Sequence, residues 1–319
     1  IHTPEDLNKY VCLIGMMNIL SGLSIWLYLP KYLHPVKLQE IKPFRNFFII
    51  VQMFLPQVAI QVYTVLDKTM IGVMTGSPLE NGYYEQAEKV VKLSLTIVTS
   101  LGTVMLPRIA YAYAHNEIET IKTYMMRSYR FVWFLTIPMF CGFIAISYNF
   151  VPWFFGPGYD KVVPLMQILS GLVIAIGLSN VTGIQYMVPT NQQNKLTITV
   201  VCGAVVNFLL NLFLIPMYQS LGASIASLIA EITVTAVQFY LVRSVFSITE
   251  ISHLAFKYLP SGLIMLAITW PLSMYLAPSI LHTLIIIAAG CLIYGGNLLL
   301  QKDPMIDMAI TKVREKLHR

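Results

Sequence analysis

Charge is scarce in this chain. Only 11% of its 319 residues are Asp, Glu, Lys or Arg, against roughly 25% in an ordinary soluble domain. So few charges cannot cover a water-facing surface, which excludes a single soluble domain and a disordered chain. Cysteine is scarce as well. Cys12, Cys141, Cys202 and Cys291 all fall inside apolar runs, with no Cys-x-x-Cys and no Cys/His spacing. They read as small packing residues, not as a disulfide scaffold or a metal site. The six histidines lie in loops or at helix ends, which argues against a membrane acyltransferase or metalloprotease. A phosphate-binding glycine loop, Gly-x-Ser-x-Gly and His-Glu-x-x-His are all missing, so no ATP hydrolysis, cofactor or metal is expected.

What the chain does have is apolar length: 56% of it is hydrophobic, and the mean hydropathy is +0.68. A membrane helix needs about 20 consecutive apolar residues. Nine such windows are present, near 10–30, 46–66, 90–107, 131–155, 163–188, 196–217, 221–242, 258–277 and 279–300. The punctuation between them is Pro78, Gly82, Gly156-Pro157-Gly158, Pro189, Asn191 to Asn194, and Pro278. Continuous apolar runs without ten-residue alternation exclude a membrane β-barrel. The expected fold class is therefore all-α, a polytopic membrane protein of about nine transmembrane helices.

The few charges set the orientation. Lys31, Lys37, Lys42 and Arg45, then Arg108, Lys122, Arg127 and Arg130, then Lys195, then Arg243 and Lys257, then Lys302, Lys312, Arg314, Lys316 and Arg319 occupy alternate gaps. Sixteen of 21 basic residues thus share one side, the cytoplasmic side by the positive-inside rule. The N-terminus is expected outside and the C-terminus in the cytoplasm; adding or losing one span would invert every later loop. The basic pI of about 9.0 is explained without nucleic acid. Glu5 and Asp6 stand where a secretory leader is basic, and the Ile1 start leads to the expectation of a fragment.

Several spans carry polar stripes at helical spacing. Span two has Gln57, Gln61, Thr64 and Lys68; span three has Glu88, Lys92, Thr96, Thr99 and Thr103; span six has Gly203, Asn207 and Asn211. Span seven has Ser220, Ser224, Ser227, Glu231, Thr235 and Gln238, beside a small-residue ridge of Gly222, Ala226 and Ala230 suited to close helix contact. Glu231 sits at mid-depth, where a carboxylate costs roughly 2.5–3.5 kcal/mol. Its face must meet protein or a water-filled cavity. Ser, Thr, Asn and Gln also serve as glue between membrane helices, and Lys68 and Lys92 lie near enough to the outer face to snorkel. Pro56, Pro138 and Pro271 inside spans are read as hinges for alternating access or as prolines that a membrane helix tolerates.

The segments Leu66-Asp67-Lys68-Thr69-Met70-Ile71-Gly72, Tyr83-Tyr84-Glu85-Gln86-Ala87, Thr103-Val104-Met105-Leu106-Pro107-Arg108 and Leu221-Gly222-Ala223-Ser224-Ile225-Ala226-Ser227 resemble the polysaccharide transporter family. These are flippases for lipid-linked oligosaccharide repeat units, within the multidrug/oligosaccharidyl-lipid/polysaccharide exporter superfamily. The likeness covers roughly 10–300. It implies a 14-helix, two-lobe fold of which this chain is the C-terminal part, in agreement with the orientation read from charge. Residues 1–45 would hold the last helix of a largely missing first lobe and a cytoplasmic linker. Residues 46–246 would be the second six-helix lobe, and 247–319 an extra helical hairpin with a basic tail.

The resemblance implies transport of polyprenyl-pyrophosphate-linked oligosaccharide across the bacterial cytoplasmic membrane by alternating access, without enzymatic chemistry. Lys68 and Lys92 would attract the anionic head, oriented by Asp67. Arg108 and Lys195 would recruit it at the cytoplasmic mouth. Gln57, Gln61, Thr96, Thr99, Asn207 and Asn211 would hydrogen-bond sugar hydroxyls. Glu231 would be a coupling site or a structural partner between helices. Other polysaccharide assembly proteins are candidate partners besides the lipid bilayer. Two rival readings are a drug/cation antiporter of the same superfamily, which would rely on Glu231 and not on the lysines, and a membrane glycan polymerase or transferase, which would need a long outer loop with Arg or His.

Overall fold

The computed structural model describes residues 4–33, 44 and 47–307. Lys37, Lys42, Arg45, the tail beyond 307 and the side chain of Gln57 lie outside the described residues. The helices are α1 (Pro4–Tyr28), α2 (Phe47–Thr75), α3 (Pro78–Ala114), α4 (Ile118–Phe155), α5 (Val162–Leu169), α6 (Gly171–Ser179), a π-helical segment (Asn180–Met187), α7 (Gln193–Tyr218), α8 (Ser220–Val242), α9 (Ile248–Tyr275) and α10 (Ile280–Leu300). Among the described residues there is no strand, and eight helical stretches are long and apolar enough to cross a membrane. α2, with 29 residues, falls where the remaining expected span was drawn. The protein is an all-α polytopic membrane protein.

The chain divides into two compact units, Ile1–Ile50 and Val51–Arg319. In the first, α1 displays exposed apolar side chains such as Leu13, Met16, Leu20, Leu23 and Trp26 around its circumference, a surface compatible with hydrocarbon and not with water.

In the second unit the helices outrun the apolar windows. α3 has 37 residues and α4 has 38, about 55 Å each at 1.5 Å per residue, well beyond a hydrocarbon core of about 30 Å. The segments 67–89 and 108–130 thus continue the helices, broken only at Gly76-Ser77 and around His115 to Glu117. Hydropathy marks where a helix is immersed; it does not mark where the helix ends. Prolines behave likewise: Pro107, Pro138, Pro152, Pro216, Pro260 and Pro271 all lie inside continuous helices, because neighbouring helices in a membrane can satisfy the freed carbonyls.

The expected fifth span is one run of α5, α6 and the π segment, the last marked by the bond from Val188 N–H to the Gly183 carbonyl at 3.1 Å. Such widened turns recur at functional sites. Tyr129 of α4 meets Thr182 there at 2.9 Å, and Thr235 of α8 donates to the Ala175 carbonyl of α6 at 3.0 Å.

α7 and α8 form a tight hairpin. Its turn places Gln219 at φ 57°, and a Cβ on Gly222 would lie 2.1 Å from the Leu214 carbonyl oxygen. Ala226 and Ala230 are buried on the same ridge, as their spacing predicts. α9 and α10 have a core of their own with α4, built on Ile137, Cys141, Tyr258, Met265, Tyr294 and Leu298. Their turn is pinned by Asn149 of α4, whose amide donates to the Leu276 and Ala277 carbonyls at 2.9 and 3.1 Å while its oxygen accepts from Thr283 at 2.8 Å.

Candidate functional site

α2, α3, α6, the π segment, α7 and α8 line a partly open cavity of about 370 Å³. Its wall carries Asp67, Glu88, Lys92 and Glu231 together with Tyr63, Tyr84, Asn180, Ser227 and Gln238. So many polar groups inside an otherwise apolar bundle need partners or water; Asn180 accepts from Gln185 and Gln238 reaches toward Thr199, and the charged residues gather in two clusters.

The inner cluster is built on Asp67, which is only 2% exposed. Its Oδ1 accepts from the Asn211 amide of α7 at 2.6 Å, and its Oδ2 from Ser227 of α8 at 2.7 Å. The Tyr84 hydroxyl of α3 lies 3.2 Å from Oδ2 and 3.0 Å from Ser227 Oγ. One carboxyl group therefore joins four helices. Asn211 also donates to Asn207 Oδ1 at 3.2 Å, and both asparagines are fully buried. Beside this cluster, Tyr63 of α2 donates its hydroxyl to Glu231 of α8, and Glu231 is 8% exposed. The predicted polar face of α8 does turn to protein, and Glu231 has a partner there.

The outer cluster is built on Glu88. One of its oxygens lies 3.2 Å from Lys68 Nζ, the other 2.7 Å from Lys92 Nζ. The carboxylate is 7% exposed, the two lysines 33% and 40%. Asp67 and Lys68 are neighbours in sequence but about 100° apart around a helix. Asp67 turns into the bundle and Lys68 toward α3, so the lysines pair with Glu88 and Asp67 does not orient them. Gln61 and Thr96 are exposed and Thr99 half-buried. Gln61 and Thr96 line a second recess of about 550 Å³ with Lys68, Glu88 and Lys92, while Thr99 faces the 370 Å³ cavity.

Two expected residues lie apart from these clusters. Arg108 is exposed beside Tyr111 and Tyr124 in a recess of about 320 Å³. Lys195 is exposed and donates to Gln192 at 2.8 Å.

The sequence places Glu88 in the polar stripe of α3 and Tyr84 in a family-like segment without giving either a role, and it does not mark Tyr63 or the clasp at Glu80. The signal for Glu88 was present in its i,i+4 spacing to Lys92 on one helix face. Glu80 had none: it accepts from Lys161 at 2.7 Å, from Ser220 Oγ at 2.6 Å and from the Ser220 N–H at 3.2 Å. It thus caps the start of α8 from a distant helix.

Known proteins agree with the resemblance read from the sequence. The family described as "Polysaccharide biosynthesis protein" matches residues 15–164. The chain is 25% identical over 195 residues to the "Putative O-antigen transporter" of Escherichia coli (strain K12), covering 60% of this chain and 46% of that protein. It is 24% identical over 187 residues to the "Probable low-salt glycan biosynthesis flippase Agl15" of Haloferax volcanii, covering 58% and 39%. The match thus spans less than half the length of either relative. Among solved structures, the lipid II flippase MurJ in an inward closed conformation has a similar fold, with a TM-score of 0.65 at 18% identity over 83% of this chain and 57% of that one.

Proposed function

We propose that this chain is part of a flippase that carries lipid-linked oligosaccharide repeat units, of capsular or other cell-surface polysaccharide, across the bacterial cytoplasmic membrane by alternating access. The observation that carries this reading is the cavity of about 370 Å³ among the helices, with Glu88 and Lys92 on its wall and Lys68 joined to Glu88 from the adjoining recess of about 550 Å³. The transporter and flippase names of the relatives support the same reading.

In this reading Lys68 and Lys92 attract the diphosphate of the cargo, and Gln57, Gln61, Thr96 and Thr99 meet its sugar hydroxyls. The polyprenyl tail stays in hydrocarbon. Arg108 and Lys195 recruit the head at the cytoplasmic mouth. Asn207 and Asn211, expected at the sugar, are fully buried and off the cavity wall; Asn211 instead holds Asp67 and Asn207 holds Asn211, and Glu231 with Tyr63 joins α2 to α8. Residues 46–246 form the transport lobe, and the α9–α10 hairpin is an accessory element seated on α4. The N-terminus of the chain faces outward and its C-terminus the cytoplasm. Alternating access requires a second bundle rocking against this one.

Expressing the full-length protein in a strain lacking its repeat-unit flippase tests the reading. Wild type restores surface polysaccharide, and Lys68→Ala with Lys92→Ala lowers it at least tenfold. Normal polymer from that double variant sinks the diphosphate site. A second reading, antiport of a cationic drug, draws support from the placing of Asp67 and Glu231 on the cavity wall. It predicts drug efflux that follows the proton gradient, survives loss of both lysines and fails with Glu231→Gln.

A further inference from the structure

Glu88 occupies an unusual position. The inner cavity and the outer recess share Thr64, Glu88, Lys92 and Thr96 as lining, so its carboxylate stands where the two spaces meet. An exposed i,i+4 Glu–Lys pair would be a solvated helix-face contact of little consequence. This carboxylate is instead nearly buried, and it also reaches across to Lys68 on α2 at 3.2 Å. Each lysine takes one of its two oxygens, which is the arrangement a phosphoryl group would adopt between the same two ammonium groups.

We propose that Glu88 is a displaceable counter-anion, which holds Lys68 and Lys92 together while the protein is unloaded and yields them to the diphosphate of the cargo. This role rests on the proposed diphosphate site. Three consequences follow from the charges. The unloaded site carries a net charge of one instead of two, so two like charges are not left facing each other. The cargo must compete with a resident carboxylate, so it is held less tightly than two bare lysines would hold it. On release Glu88 takes the lysines back, which speeds departure. A transport site has to bind strongly enough to load and weakly enough to unload.

The test titrates farnesyl diphosphate into the full-length protein in phosphatidylcholine nanodiscs and measures surface polysaccharide in the complemented strain. The lysines are partly exposed and stay hydrated without their partner, so Glu88→Gln is expected to fold. It should bind the probe about tenfold tighter while polysaccharide output falls, a split that a merely structural ion pair does not produce. Binding that is unchanged or weaker, with thermal unfolding preserved, overturns the proposal. Should Glu88→Gln not fold, Glu88→Asp decides: its shorter reach loosens one pairing and should tighten binding, and affinity no higher than wild type overturns the role. Lys68→Ala with Lys92→Ala, made in the Glu88→Gln background, separates the two ideas. Loss of the added affinity upholds the diphosphate site. Full retention overturns that site and the Glu88 role with it. Weakening by the lysine changes without tightening by Glu88→Gln overturns the Glu88 role alone.

Discussion

Asp67 on α2 and Asn211 on α7 meet at 2.6 Å across 144 positions of sequence. The carboxylate is buried and also accepts from Ser227 of α8, so this contact is one strut of a polar joint that holds α2 to the bundle. Asp67→Ala should leave one N–H of the buried Asn211 amide without its acceptor and strip the joint of its centre, while Ser227 keeps the Ala223 carbonyl at 2.9 Å and Tyr84 keeps Ser227 Oγ at 3.0 Å. The expected cost is about 2–3 kcal/mol, read as a lowered unfolding temperature in detergent. An unchanged midpoint would mean that the joint does not hold the helices together.

Tyr63 is the hydroxyl partner of Glu231, which allows a structural and a coupling role to be told apart. Tyr63→Phe should cost about 1–3 kcal/mol, because a buried acceptor loses its donor. If Glu231 is chiefly a structural partner, Tyr63→Phe and Glu231→Gln lower stability and transport together, and the dependence of transport on the proton gradient stays as in wild type. Loss of that dependence with Glu231→Gln, at wild-type stability, identifies a coupling group.

Gly222 permits the close approach of α7 and α8. A Cβ there would sit 2.1 Å from the Leu214 carbonyl oxygen, and backbone cannot swing aside as a side chain can. Gly222→Ala should destabilise by about 1–3 kcal/mol and lower the yield of folded protein in the membrane. Gly295→Ala is the control, since a Cβ there meets nothing within 4 Å.

The two ends of α3 give a direct test of topology. A helix of 37 residues, about 55 Å long, should emerge on both faces of the bilayer. Leu79 and His115 are exposed near its ends. Single cysteines at these positions, in a full-length background with Cys12, Cys141, Cys202 and Cys291 replaced, should label from opposite sides, with Leu79 reached from outside intact cells. Equal labelling of both from outside refutes the orientation drawn from Lys and Arg.

Much of the fold was legible because its causes are local. Apolar length marks a span wherever it occurs, since the bilayer supplies a solvent that every segment meets separately. Helical spacing likewise marked the polar face of α8 and the Gly222–Ala226–Ala230 ridge. The helix ends were less legible: α3 and α4 continue past their apolar windows, where hydropathy falls but nothing stops the helix.

The candidate site divides along the same line. The sequence by itself determined that this is a helical membrane protein with charge kept at the loops and with a few polar residues, Asp67, Glu88, Lys92 and Glu231 among them, carried into the bundle. Only the tertiary structure decided the partners. It turned Asp67 inward to Asn211 and Ser227 while its neighbour Lys68 went to Glu88, and it brought Glu80 to Lys161 and Ser220 over separations of 81 and 140 positions. Pairing depends on which helices touch and on the angle at which each side chain leaves its helix. In a membrane those contacts are set by close packing and by the few polar bonds available, and neither has a period that can be read along one strand of sequence.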